Sequence, residues 1–226
     1  MPLAKPYTKV KNSVVRVIAL DGNTKVSDGT GSIIDDGTKV LTCAHCVLEG
    51  KQVAIIKPDY SIILGKAVFC DPRTDIALLE FGQQVGPAVE FADSEKRQVG
   101  NGVFVVGYPM EVSEQTLMAG HIASITRDYL RIDSSVNHGN SGGPLFDLEG
   151  KQIGVVNAKH GALSKFLRKA KEGNLAGTIS INGIDPGQTI QVLIEEMQKN
   201  MNLGLGYAIP TGRIKSSHAI LNKCIP

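Results

Sequence analysis

A chain of 226 residues, 42% apolar and 20% charged, is long enough to bury a core without metals or disulfides and has the composition of a globular protein. Its formal net charge of +2, its lack of Trp and its scattered five Tyr and six Phe exclude the basic, aromatic-interleaved stripe of a nucleic-acid binder. No apolar run is long enough for a membrane-spanning helix. Cysteines at 43, 46, 70 and 224 are too few for a disulfide scaffold and favour reduced thiols.

The amino-terminal stretch MPLAKPYTKVKNSVVRVIAL carries early positive charge, but its apolar run is broken by Arg16 and no small-residue cleavage site follows. It reads as a first strand rather than a secretory leader. A cytoplasmic setting is therefore expected, with a periplasmic or secreted one as the alternative if a leader has been removed. From Val14 to Leu145 short β-branched runs alternate with turn signals: VVRVIAL, GSIIDDGTKVLT, VAIIKP, SIILGKAVF, IALLEF, GVFVVGYP and HIASITRDYLRI. Asp35-Asp36-Gly37 and Leu148-Glu149-Gly150 each sit between apolar runs, as hairpin turns do. Many short strands with such turns predict an all-β sandwich or barrel, and no repeat at a fixed period is visible.

Within the first half, TCAHCV packs Cys43, His45 and Cys46 into four positions. On residues alone it has three readings: a metal knuckle, a redox Cys-x-x-Cys, or a catalytic histidine with two thiol neighbours. A zinc site needs a second ligand pair at metal spacing, which Cys70 and Cys224 do not supply. A redox pair usually sits in a thioredoxin-like βαβ setting, and none is present.

The segment 136–147, VNHGNSGGPLFD, formally contains G-x-S-x-G. A nucleophile elbow runs from strand into helix, whereas here Pro144 leads into another hairpin, and only His160 or His218 follows as a base. What remains is a Gly-rich turn whose backbone N–H groups converge beside the Ser141 hydroxyl, the outline of an oxyanion hole. Beyond it, 161–203 departs from the β pattern. Leu163, Phe166, Leu167 and Ala170, then Ile190, Leu193, Ile194, Met197 and Met201, fall at helical spacing, and Asp185-Pro186 opens the second run as a cap. Two amphipathic helices are predicted, as a packed cap or as a lid with Lys165, Arg168, Lys169 and Lys171 outward. GYAIP then returns to strand.

A serine nucleophile needs a base, and the base an orienting acid. The order His45, Asp75 (in DPRTDIALLEF), Ser141, with these flanking strands, resembles the chymotrypsin-like serine proteases, most closely the bacterial HtrA (DegP-like) branch. The resemblance extends over GTGSIIDDGTKVLTCAHCV, VGNGVFVVGYPM, TLMAGHIASITRD, RIDSSVNHGNSGGPLFDLEGKQIGVVNA and GYAIP, nearly the whole chain. It implies two six-stranded antiparallel Greek-key barrels: 1–98 carrying His45 and Asp75, and 99–226 carrying Ser141 with a helical insertion at 161–203.

The resemblance also implies the chemistry. His45 is base and then acid, Asp75 (rather than Asp71) holds its tautomer, and Ser141 attacks. The oxyanion hole is Gly139, Asn140 and Ser141, with the N–H groups of Gly139 and Ser141 as donors. Cys43 and Cys46 become neighbours without a required role, and the residue that pairs with Cys46 in animal relatives is replaced by Gly29. A substrate pocket is implied at Ser135, His138, Asn157, Ala158, Lys159, Tyr207 and Ala208; Ser135 at its base, in place of an acid, suits an uncharged apolar side chain.

Neutral Asn140 and the missing start motif argue against zymogen-type activation, and residues 211–226 leave no room for a PDZ domain. No metal or other cofactor is implied. The partners implied are a polypeptide substrate and, as in many relatives, a homo-oligomer. A peptide-binding module with little hydrolysis on the same fold is the rival reading, and a metal- or thiol-dependent enzyme built on TCAHCV is a third. His121, His160 and His218 are expected to be structural or at the surface.

Overall fold

The computed structural model describes residues 2–110, 112–157 and 204–226. The predicted helices of 161–203, together with Ala158, Lys159 and His160, lie outside the described residues. Twelve strands form two closed antiparallel barrels. In the first, β1 (Val14–Asp21), β2 (Thr24–Ile34), β3 (Lys39–Thr42), β4 (Gln52–Ile56), β5 (Ile62–Asp71) and β6 (Ile76–Glu80) close in the order β1-β2-β3-β6-β5-β4. The second uses β7 (Gly102–Gly107), β8 (Thr116–Ile125), β9 (Leu130–Ile132), β10 (Pro144–Asp147), β11 (Gln152–Val156) and β12 (Gly206–Pro210). Its order, β7-β8-β9-β12-β11-β10, repeats that of the first barrel. The chain is thus duplicated in topology although its sequence shows no period. Both barrels belong to one compact unit, Met1–Ala158 with Gly204–Pro226.

Strand alternation sets what is inside. On β1 Val15, Val17 and Ala19 have no exposure, while Arg16 and Ile18 between them are partly exposed. Ile33, Leu41, Ile55 and Leu78 fill the same first-barrel core, and Val105, Ile122, Leu130, Ile132 and Leu145 fill the second. Bulges between Ala19 and Leu20, Ala67 and Phe69, and Leu145 and Phe146 add the local twist that closure needs. The predicted hairpin turns at 35–37 and 148–150 connect β2 to β3 and β10 to β11.

One element departs from expectation. Residues Ala4–Val10 form a helix, and the first strand begins only at Val14. The cause is legible in retrospect: Leu3, Tyr7 and Val10 stand at i, i+4 and i+7, a helical stripe. That stripe packs with Val14 against Phe104, Val106, Tyr108 and Phe146. Phe104 and Phe146, directly paired across β7 and β10, stack at 5.2 Å.

Beside the barrel seam, Arg16 on β1 holds Asp28 on β2 through two hydrogen bonds, one of them Nε to Oδ1 at 3.0 Å, and Lys25 adds a third at 2.8 Å. The Asp28 side chain is only 4% exposed. Burial works to raise its pKa, and the hydrogen bonds from Arg16 and Lys25 more than offset this, leaving it below the usual carboxylate value. A depressed carboxylate stabilises the fold above its unfolded pKa and loses that contribution as pH falls through the folded value. Asp28→Asn, which strands the Arg16 charge, is expected to lower stability by on the order of 3 kcal/mol at neutral pH. The deficit should shrink in acid below the ordinary aspartate pKa of about 4. Urea midpoints of both proteins at the two pH values check it.

Candidate active site

His45 lies in a 3₁₀ turn, Ala44–Cys46, that follows β3, and Asp75 lies at the end of the β5–β6 turn. Their side chains meet with Nδ1 and Oδ2 2.7 Å apart, both partly buried. Asp75 is fixed from several directions. The His45 amide donates to Oδ1 at 2.9 Å, Asn157 Nδ2 donates to Oδ2 at 2.7 Å, and the Asp75 carbonyl accepts from the Ala44 amide at 3.1 Å. Asp75 holds a left-handed backbone, φ 56°, which costs a non-glycine residue roughly 1–3 kcal/mol and persists where the surroundings over-determine it. Asp71 instead caps its own turn, accepting from the Arg73 amide and the Thr74 hydroxyl.

The 138–141 turn is held peptide by peptide. The His138 carbonyl accepts from the Met110 amide at 2.9 Å, and the Asn140 carbonyl from the Gly143 amide at 3.0 Å. The Gly139 carbonyl accepts from Thr30 Oγ1 at 2.7 Å, and the Ser141 carbonyl from the Thr30 amide at 2.8 Å. A trans peptide points its N–H opposite its C=O, so these four acceptors fix where the N–H groups of 139 to 142 point. Those of Asn140 and Gly142 end on the Asn137 and Val156 carbonyls, at 3.1 and 2.8 Å. Asn140 is fully buried, with Nδ2 3.4 Å from Met118 Sδ.

Gly139 and Gly142 both have positive φ, 89° and 84°, and a Cβ on either would fall within 2.4 Å of the Tyr108 carbonyl oxygen or 2.1 Å of Thr42 Oγ1. No other residue fits there. Ser141 is 4% exposed.

The thiols are built into the same place. Cys43 Sγ donates to the Val156 carbonyl at 3.3 Å and Cys46 Sγ to the Ser141 carbonyl at 3.5 Å. A Cβ on Gly29 would meet Cys46 Sγ at 2.6 Å, so this sulfur occupies the space beside that glycine. Ligand atoms of Cys43, His45 and Asp75 lie within 4.8 Å of one another, close enough to be considered for a metal. All three are already committed, to Val156, to each other and to Asn157, so a cation would have to displace those bonds.

His45 is pushed up to about 9: burial opposes its charge, and the hydrogen bonds with Asp75 and then Cys46 outweigh it.

The predicted pocket residues divide. Asn157 is buried with its side chain on Asp75, and its amide donates to the Tyr207 carbonyl at 2.8 Å. Ser135 and His138 are exposed on the 133–141 segment, whose Ser134 and Val136 abut Gly206. Tyr207 stands edge-on to Tyr129 with Arg131 over its ring, whereas Ala208 points into the second-barrel core. His121 pairs with Asp133 at the surface, and His218 caps the helix Ala219–Cys224 through Nδ1.

The sequence model of the trypsin-like peptidase domain matches residues 29–155, more than half of the chain and the stretch holding His45, Asp75 and the 138–141 turn. The chain belongs to the trypsin-like peptidase family. Among curated members of the family, a probable periplasmic serine endoprotease, DegP-like, from Bartonella henselae is 31% identical over 180 residues, 76% of this chain and 34% of the relative. One of the same name from Pseudomonas putida is 34% identical over 206 residues, 82% of this chain and 42% of the relative. The chain thus spans little more than a third of the first and about two fifths of the second. A crystal structure of the serine endoprotease from Yersinia pestis covers 100% of this chain and 67% of its own, with a TM-score of 0.69 at 22% identity, a likeness of fold. The DegP-like resemblance is borne out. The cytoplasmic expectation finds no support, since these relatives are named periplasmic. No helix among the described residues is long and apolar enough to cross a membrane.

The residue that sequence reasoning missed is Thr30, whose hydroxyl also accepts from the Tyr108 amide at 3.0 Å. Thr30→Val keeps the shape but leaves the Gly139 carbonyl and Tyr108 amide without this buried partner, so stability should fall by about 1–3 kcal/mol. Hydrogen exchange should quicken at the Tyr108 and Met110 amides while the first-barrel core strands keep their protection; uniform quickening would mean a global effect instead.

Proposed function

We propose that this chain is a serine endopeptidase working through Ser141, His45 and Asp75 by way of an acyl-enzyme. The observation that carries the proposal is the Asp75 carboxylate on His45 Nδ1 at 2.7 Å. That bond leaves Nε2 as the nitrogen that exchanges a proton with substrate and serine. Cys46, the next residue, reaches the Ser141 backbone, so base and nucleophile belong to adjoining segments.

In this reading His45 Nε2 takes the Ser141 hydroxyl proton as Oγ bonds to the scissile carbonyl. The oxyanion is received by the N–H groups of Gly139 and Ser141, with Asn140 as the spacer between them. Collapse breaks the C–N bond, the amine leaves with the proton from His45, and water repeats the sequence to free the acid and restore Ser141. Asn157, expected on the pocket wall, supports the site by holding Asp75 in place. Ser135, His138, Ala158, Lys159 and Tyr207 stay assigned to the P1 pocket, with an uncharged apolar preference, whereas Ala208, buried in the second-barrel core, leaves it. The barrels are taken as domains 1–98 and 99–226. Polypeptides are the substrate, and a homo-oligomer in the periplasm is the setting that the relatives suggest.

The test is intact mass after fluorophosphonate treatment. One adduct is expected on the wild type and none on Ser141→Ala, whose peptidase turnover should fall by about six orders of magnitude. Folded wild type without an adduct overturns the reading in favour of a peptide-binding module. The pH dependence has a definite sign. Only neutral His45 accepts a proton, so with its pKa raised to about 9 the labelling rate should climb through the neutral range, roughly tenfold per unit until it levels near that value. Cys46→Ala removes one of the raising contacts, so the rising limb should move to lower pH.

A further inference from the structure

Cys43 and Cys46 are buried nucleophiles that this mechanism does not use. The turn that joins them has the geometry of a disulfide site. The Cys46 amide donates to the Cys43 carbonyl at 3.1 Å, closing an i→i+3 turn. Such a turn keeps the two Cα atoms within about 7 Å and brings the side chains at i and i+3 to the same side. A disulfide asks for Cα atoms about 4.4–6.8 Å apart. His45 lies between them in the chain, inside the loop that a bond between the sulfurs would close. We propose that Cys43 and Cys46 form a reversible internal disulfide, and that closing it displaces His45 and silences Ser141; the second half rests on the reading of His45 as the base.

The chemistry is divided between the sulfurs as dithiol oxidation requires. Cys46 is held below the usual thiol value by its hydrogen bonds to Cys43 and His45, against the effect of burial, whereas burial and then Cys46 hold Cys43 well above it. Cys70 and Cys224 are both shifted upward, chiefly by burial. With a peroxide as oxidant, the Cys46 thiolate attacks an oxygen, the O–O bond breaks, and sulfenic acid and hydroxide form. The Cys43 sulfur then attacks the Cys46 sulfur and expels water. In sum two thiols and one hydrogen peroxide give one disulfide and two waters, and a dithiol reductant reverses it.

Closure has a definite structural consequence. A disulfide has no S–H, so the bonds from Cys43 to the Val156 carbonyl and from Cys46 to the Ser141 carbonyl are both lost. Val156 and Ser141 keep their amide partners, Gly142 and Thr30. The turn carrying the base is thereby released from the segment carrying the nucleophile. Neither sulfur is exposed, so the oxidant enters as the turn opens locally, and oxidation is slow rather than diffusion-limited.

The full chain, reduced or treated with hydrogen peroxide, is unfolded, alkylated, digested and weighed, and parallel samples are labelled with a fluorophosphonate. The peptide holding 43–46 should become lighter by two hydrogens and take no alkyl group. Labelling should slow by about a hundredfold, as misplacement of a reacting group by an ångström does, and dithiothreitol should restore both. Cys43→Ser and Cys46→Ser, each compared with its own untreated sample, should label equally before and after peroxide. Two alkylated thiols after peroxide, or Cys46 halted as a sulfinic acid, overturns the disulfide. A disulfide that leaves labelling unchanged overturns the switch. Reduced wild type that takes no label overturns the protease reading, while the peptide mass still decides the disulfide.

Discussion

Thr30 is where the two barrels are fastened together around the candidate site. It is fully buried, and each of its polar groups is committed: the amide to Ser141, the hydroxyl to Gly139 and Tyr108, the carbonyl to the Thr42 hydroxyl at 2.7 Å. Because buried backbone groups must be paired, these bonds leave the 139–142 turn little freedom. The peptide planes before Asn140 and Gly142 are set by Thr30, and those before Gly139 and Ser141 by Met110 and Gly143. A single β2 residue of the first barrel thus fixes two of the four peptide planes of a turn more than a hundred positions away, in the second.

The same division recurs at the acid. Asp75 belongs to the first barrel, yet one of its oxygens is held by Asn157 at the end of β11 in the second. Its left-handed backbone is tolerable because its carbonyl, both carboxylate oxygens and the neighbouring Asp71 cap leave no competing arrangement. The strain is confined to one residue, where it turns the carboxylate back toward His45. The site is accordingly a property of the seam: each barrel alone supplies side chains, and only their junction supplies orientation.

Much of this was legible in the sequence because it is encoded locally. Alternation on VVRVIAL, the continuous apolar run IALLEF, the DDG and LEG turns and the glycine turn around Ser141 are all signals within a few residues, and the structure has strands and turns at those places. The helix Ala4–Val10 was hidden because Lys5, Pro6, Thr8 and Lys9 dilute its stripe, whose partners Phe104, Val106, Tyr108 and Phe146 come from distant parts of the sequence. Thr30 and Asn157 were misjudged or missed for a related reason. A threonine in GTGS carries no local mark of bonding across 109 positions, nor does an asparagine reaching back 82 to an aspartate. The duplicated strand order, implied by the family resemblance, leaves no period in the sequence because barrels are specified by alternation and turn chemistry, which many unrelated sequences satisfy.

The two sulfurs show how neighbours can sort otherwise equivalent groups. Cys43 and Cys46 differ little in burial, and both donate to carbonyls of the second barrel. Burial and the negative charges of Cys46 and Asp75 keep Cys43 protonated. Cys46 is lowered first by its hydrogen bond with Cys43 and then by His45, against the effect of burial. Contact with Cys46 raises Cys43, whereas contact with Cys43 and with His45 lowers Cys46, so neighbours rather than burial separate two equally buried thiols.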